Sequence, residues 1–137
     1  MLVQENDRDA FATAYQDAVK KQYPGGFAGS SDYTAILNLH HYERLSGLID
    51  NAASQGARII RLGDDSRETH VLAPVLLLDV TPQMAVMQEE IFGPVLPVLT
   101  YRTLDEAIAF ITARPRPLAL YYFGEKRAER DRLLNRT

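Results

Sequence analysis

The chain has 137 residues, 46% hydrophobic and 24% charged, with a formal net charge of −3 and no cysteine. That is one domain's worth of polypeptide, long enough to bury a core. Its balance leaves no basic footprint for nucleic acid or an anionic membrane surface. Without cysteine there is no disulfide framework, thiolate metal site or thiol nucleophile. No apolar run approaches membrane-spanning length, and Met1–Asp7 has neither the basic region nor the apolar core of a signal peptide. These features lead us to expect a cytoplasmic protein.

In chain order, Asn6 or Asp7 can cap a helix that places Phe11, Tyr15, Ala18 and Val19 on one face. Lys20 and Lys21 suit its C-terminal dipole, and Pro24-Gly25-Gly26 stops it. Residues 24–34 read as a flexible surface loop, and they lack the G-x-G-x-x-G spacing of a phosphate cradle. A second helix spans Asn38 to Gln55, with Leu45, Leu48, Ile49 and Ala52 along one face and Gly56 closing it. His40 and His41 are neighbours on that helix and point to different faces, so they do not form a metal pair by themselves.

Ala57–Leu62 reads as a strand and Gly63–Glu68 as a solvated turn whose acidic residues do not fit a calcium-loop pattern. Val71–Val80 and Leu96–Tyr101 follow as strands. Thr103-Leu104-Asp105-Glu106 is a capping box that opens a helix with Leu104, Ala107, Ile108 and Ile111 inward. Arg114-Pro115-Arg116-Pro117 ends that helix. Leu118–Phe123 is wholly apolar, the pattern of a strand buried on both faces. A charged helix is expected over Glu125–Arg136, with Leu133 and Leu134 its large apolar pair. Alternation of helices and strands predicts an α/β fold, layered α/β/α around a mostly parallel sheet.

The stretch that organises the rest is Val86–Val98, with Gln88-Glu89-Glu90-Ile91-Phe92-Gly93-Pro94 at its centre. If it is extended, Glu89 and Glu90 point to opposite faces and cannot form one acid/base pair, whereas Glu90 and Phe92 point the same way. A carboxylate accepting two hydroxyl hydrogen bonds suits a ribose diol, and a ring edge can brace a flat heterocycle. On spacing alone, a solvated glutamate and a core phenylalanine are the plainer reading of this stretch.

Glu89-Glu90-Ile91-Phe92-Gly93-Pro94 resembles the EEIFGP signature of the aldehyde dehydrogenase superfamily. Leu72–Val80, Leu104–Ile108 and Pro117–Phe123 resemble three further segments of that family in the same order, and the last leans toward its class 3 and coniferyl-aldehyde branch. The resemblance implies that residues 1–137 are an interior part of the catalytic domain, without the family's nucleophilic cysteine, its general-base glutamate or its nucleotide-binding domain. It implies NAD or NADP as cofactor and an aromatic or fatty aldehyde as substrate, oxidised to a carboxylic acid in a homo-oligomeric enzyme. By the same resemblance Glu90 would hold the nicotinamide ribose, Phe92 would support the ring, and His41 and Arg44 would lie near the adenosine half. Glu89 would make a structural contact, and no catalytic residue falls within the chain. The other expectation is a catalytically inert α/β domain with a binding or structural role.

Overall fold

A computed structural model describes residues 1–137. Strand β1 (Leu2–Gln4) leads through a 3-10 turn into α1 (Arg8–Gln22), and a loop connects to α2 (Leu39–Ser54). Then come β2 (Arg58–Arg61), β3 (Val75–Leu78), β4 (Val95–Pro97), β5 (Leu99–Tyr101), α3 (Leu104–Thr112) and α4 (Arg127–Arg136). The expected α/β layering is present, but the strands form two small sheets, ordered β2-β3-β4 and β1-β5. Pairings β3–β4 and β1–β5 are parallel, and β2–β3 is antiparallel.

β3 explains the layering. All four of its side chains are apolar and buried. Because side chains alternate along a strand, Val75 and Leu77 join the core under α2, while Leu76 and Leu78 join the core under α1. A strand that is apolar throughout therefore has helices on both faces, as such a run requires. Each fully buried leucine there contributes about 1.5–3 kcal/mol of transfer free energy.

β3 is shorter than the expected Val71–Val80 strand. Pro74 lacks an N–H for a ladder, and Asp79 ends the strand in a left-handed backbone with φ of 59°. Leu96–Tyr101 is likewise divided. Val95–Pro97 pairs with β3 and Leu99–Tyr101 pairs with β1, so one extended segment changes partners at Val98. On α1 the buried residues are Ala12 and Val19, and Ala18 is exposed. Asp7 occupies the cap position but accepts no capping hydrogen bond. The loop after α1 is pinned, with Phe27 buried beside Val19, Val71 and Ala73. Tyr33 helps to hold it by donating its hydroxyl to Leu72 O at 2.6 Å, and burial pushes its phenol up to about 12.

Helix α3 keeps its expected cap, with Glu106 N donating to Thr103 Oγ1 at 3.3 Å. Glu106 Oε2 reaches back one residue further than in the usual box, to Arg102 N at 2.8 Å. Helix α4 starts at Arg127 rather than Glu125, and Leu133 is its buried residue. Arg132 and Arg136 tie it to Asp105 of α3 at 2.6 and 2.8 Å. No helix is long and apolar enough to cross a membrane.

The largest departure is Leu118–Phe123, which forms no strand. Leu118, Tyr121 and Phe123 are exposed at 106%, 77% and 80%. The segment makes no backbone–backbone hydrogen bond. Leu120 and Tyr122 turn toward an apolar cavity of about 460 Å³ shared with α3, β1 and β5. Its composition is that of a central strand, but a strand also needs neighbours to pair with, and no strand hydrogen-bonds to it.

Candidate functional site

The stretch Met84–Pro94 is held at three points, two on α2 and one on β3. Asn51 Oδ1 on α2 accepts from Ala85 N at 2.9 Å and anchors the 3-10 turn Ala85–Met87. At the far end Pro94 O accepts from Val75 N of β3 at 2.8 Å. Between them, Arg44 reaches out from α2 with three hydrogen bonds. Its Nη1 donates to Glu89 Oε2 at 3.2 Å and to Glu90 O at 3.1 Å, and its Nη2 donates to Ile91 O at 2.6 Å. Glu89 thus makes the structural contact expected of it.

Phe92 overturns the extended reading of this stretch. Its φ is 46°, a left-handed backbone that costs a bulky L-residue about 1–2 kcal/mol. The simple alternation that would put Glu90 and Phe92 on one face is broken there. Nor is the ring a core residue, because it is 87% exposed. Such an outlier persists only where the surroundings over-determine it, and such outliers cluster at functional sites. The following residue, Gly93, has little room for a side chain. A Cβ on Gly93 would stand 2.5 Å from a terminal carbon of Leu45, and Leu45 is fully buried.

Glu90 lies on the surface next to this turn. Its carboxylate takes part in no hydrogen bond or ion pair with the rest of the chain, so its lone pairs are free for hydroxyl donors. His41 opens α2, where its backbone N–H donates to the Asn38 side chain at 2.9 Å. Three residues before Arg44, it shares that residue's side of the helix. Its ring lies 5.7 Å from that of His40, and no side-chain hydrogen bond joins it to the loop. The structure therefore brings Arg44, Glu89 and Glu90 together with Phe92 and leaves His41 one turn away. Sequence reasoning missed the contacts Arg44–Ile91, Asn51–Ala85 and Leu45–Gly93. The Gly-Pro pair was the one local sign of a constrained turn.

A layered α/β fold carrying a Glu-Glu-Ile-Phe-Gly-Pro loop clamped to a helix defines a recognisable class. The chain matches the aldehyde dehydrogenase family over residues 1–137 and belongs to it. It is 46% identical over 142 residues to a protein described as a probable coniferyl aldehyde dehydrogenase from Caulobacter vibrioides, covering 100% of this chain and 29% of that protein. Among solved structures it is similar to the substrate-bound state of AldH from Staphylococcus aureus, with a TM-score of 0.90 and 43% identity over 98% of this chain and 29% of that one. It is also similar to betaine aldehyde dehydrogenase from Staphylococcus aureus in complex with NAD+, with a TM-score of 0.79 and 26% identity over 98% and 28% of the two chains. The chain thus spans under a third of the length of these relatives.

Proposed function

We propose that this chain forms the cofactor-facing wall, within the catalytic domain, of an NAD(P)-dependent aldehyde dehydrogenase that oxidises an aromatic or fatty aldehyde to its carboxylic acid. The observation that carries the reading is the Glu90–Phe92 turn, where a free carboxylate and an exposed ring are held on a strained, clamped backbone. The family relationship, the named coniferyl aldehyde dehydrogenase relative and the NAD+ complex of a structural neighbour support it.

The residues suit a dinucleotide. The Glu90 carboxylate can accept from both hydroxyls of a ribose and so fix the sugar. The Phe92 ring can brace a flat heterocycle and keep water from one of its faces. Their role is orientation, which lowers the barrier by holding the reacting atoms close and aligned. NAD(P)+, when bound, supplies the hydride acceptor. His41 and Arg44 belong to the same cofactor side at the start of α2. The chain contains no cysteine, so it contributes binding and alignment, not the attacking thiol. We also infer a homo-oligomeric enzyme; the exposed apolar Leu118, Tyr121 and Phe123 need a cover, which the rest of a longer chain or a second copy would supply.

In a full-length enzyme containing this segment, Phe92→Ala is expected to slow single-turnover NAD(P)H formation about three- to tenfold, the size of an aromatic contact of up to ~1.5 kcal/mol. An unchanged rate together with unchanged cofactor affinity would contradict the reading.

A further inference from the structure

We infer that Arg44 is the positioning residue of the Glu90–Phe92 turn, acting on the cofactor through the loop rather than by touching it. This rests on the function proposed above, but the clamp itself is open to test without cofactor.

One guanidinium can grip several carbonyls at once. It offers five N–H donors in a rigid plane, whereas a lysine offers a compact point charge. Arg44 directs that plane at two successive backbone carbonyls, Glu90 O and Ile91 O. The second bond matters most. Ile91 O belongs to the peptide plane against which the φ of Phe92 is measured, so gripping that oxygen fixes one side of the Phe92 torsion. The next residue of α2 fixes the other side, because Leu45 presses on Gly93 from below.

Two adjacent helix residues therefore hold the backbone before and after Phe92. Phe92 itself is left unpacked, its ring outward at 87% exposure. The same guanidinium bonds the carbonyl of Glu90, leaving the Glu90 carboxylate free, and takes its ion pair from Glu89 instead. With three of its five N–H donors on the loop and its side chain 25% exposed, Arg44 has little left to offer an adenosine ribose.

The test is the backbone order of residues 90–93 in the full chain, measured by 15N relaxation without cofactor. In Arg44→Met, order parameters there are expected to fall from about 0.85 to below about 0.6, with β3 and α2 unchanged. Arg44→Lys keeps the charge but loses the fork, and it is expected to loosen the same residues to a lesser degree. It serves as the deciding variant if Arg44→Met does not fold. Glu89→Gln removes the ion pair and leaves both carbonyl bonds, so order should be retained. Unchanged order parameters in the folded Arg44 variants overturn the clamp. Loosening by Glu89→Gln as large as that by Arg44→Met also overturns it, since the ion pair would then carry the effect.

The kinetic readout in a full-length enzyme separates positioning from direct contact. Positioning predicts a kcat about tenfold lower, partly restored by Arg44→Lys. A raised KM for NAD(P)+ with kcat unchanged marks Arg44 as a direct ligand and overturns the inference. Failure of the cofactor reading itself looks different. Glu90 and Phe92 substitutions would then leave hydride transfer untouched, while the cofactor-free order parameters still fall in Arg44→Met.

Discussion

Leu45→Ala is expected to destabilise the fold by about 2–5 kcal/mol, the usual cost of truncating a buried leucine. Leu45 is fully buried in a cluster of 13 residues that joins α2 to β3 and to the 3-10 turn before the Glu90–Phe92 loop. Removing its isobutyl group opens a cavity in that core and takes away the surface on which Gly93 rests. The two sites are therefore coupled. Gly93→Ala alone should destabilise the protein, because its new methyl meets Leu45 at 2.5 Å. In the Leu45→Ala background the same methyl enters vacated space, and its cost should shrink by about 0.5–3 kcal/mol, the range seen for residues in contact. Urea unfolding of the four proteins reads this directly, as a lowered midpoint with an unchanged slope. Strict additivity of the two substitutions, or a Leu45→Ala cost well below about 1 kcal/mol, would contradict the packing described here.

Glu90→Gln is expected to slow single-turnover NAD(P)H formation in a full-length enzyme by roughly 10- to 100-fold. A hydrogen bond to a charged group contributes about 1.5–3 kcal/mol, and each 1.4 kcal/mol is tenfold in rate when the bond strengthens toward the transition state. The carboxylate offers two acceptor oxygens to a diol, whereas the amide offers one oxygen and turns two N–H donors toward hydroxyls. The shape is conserved and only the bonding changes, so the variant isolates orientation from packing. Stability should stay within about 0.5 kcal/mol of the parent, as for an ordinary surface change, because Glu90 is exposed and bonded to nothing else through its side chain. Equal rates for the two proteins would remove Glu90 from the cofactor side.

Much of this architecture is legible in the sequence where a single segment carries its own instruction. The i, i+3, i+4, i+7 run of Leu45, Leu48, Ile49 and Ala52 places α2 and its buried face correctly. The apolar run around Val75–Leu78 correctly announces a strand. Thr103 and Glu106 announce the start of α3. What fails is whatever depends on a distant partner. Leu118–Phe123 carries the same apolar message as β3, yet no strand pairs with it and Leu118, Tyr121 and Phe123 stay exposed. Leu96–Tyr101 has the length of one strand, but its pairing is shared between β3 and β1, which no local pattern reveals.

The loop shows the same division. Its residues are readable as a motif, including the structural contact of Glu89. The left-handed turn at Phe92 is not, because it runs against the intrinsic preference of that residue. It is held by Arg44, 47 positions from Ile91 in sequence, and by Leu45 beneath Gly93. Local propensity yields to tertiary restraint here, the kind of conflict that marks functional sites.

In the function proposed here, the Glu90–Phe92 turn faces the nicotinamide riboside of the cofactor. A crystal structure of a full-length enzyme containing this segment, with NAD+ bound, tests it most directly. We expect the Glu90 carboxylate within about 2.6–3.2 Å of the ribose hydroxyls, with the Phe92 ring against the nicotinamide side and Arg44 still on the loop carbonyls. A cofactor whose nicotinamide riboside lies away from this turn, with Glu90 left in solvent, would contradict it.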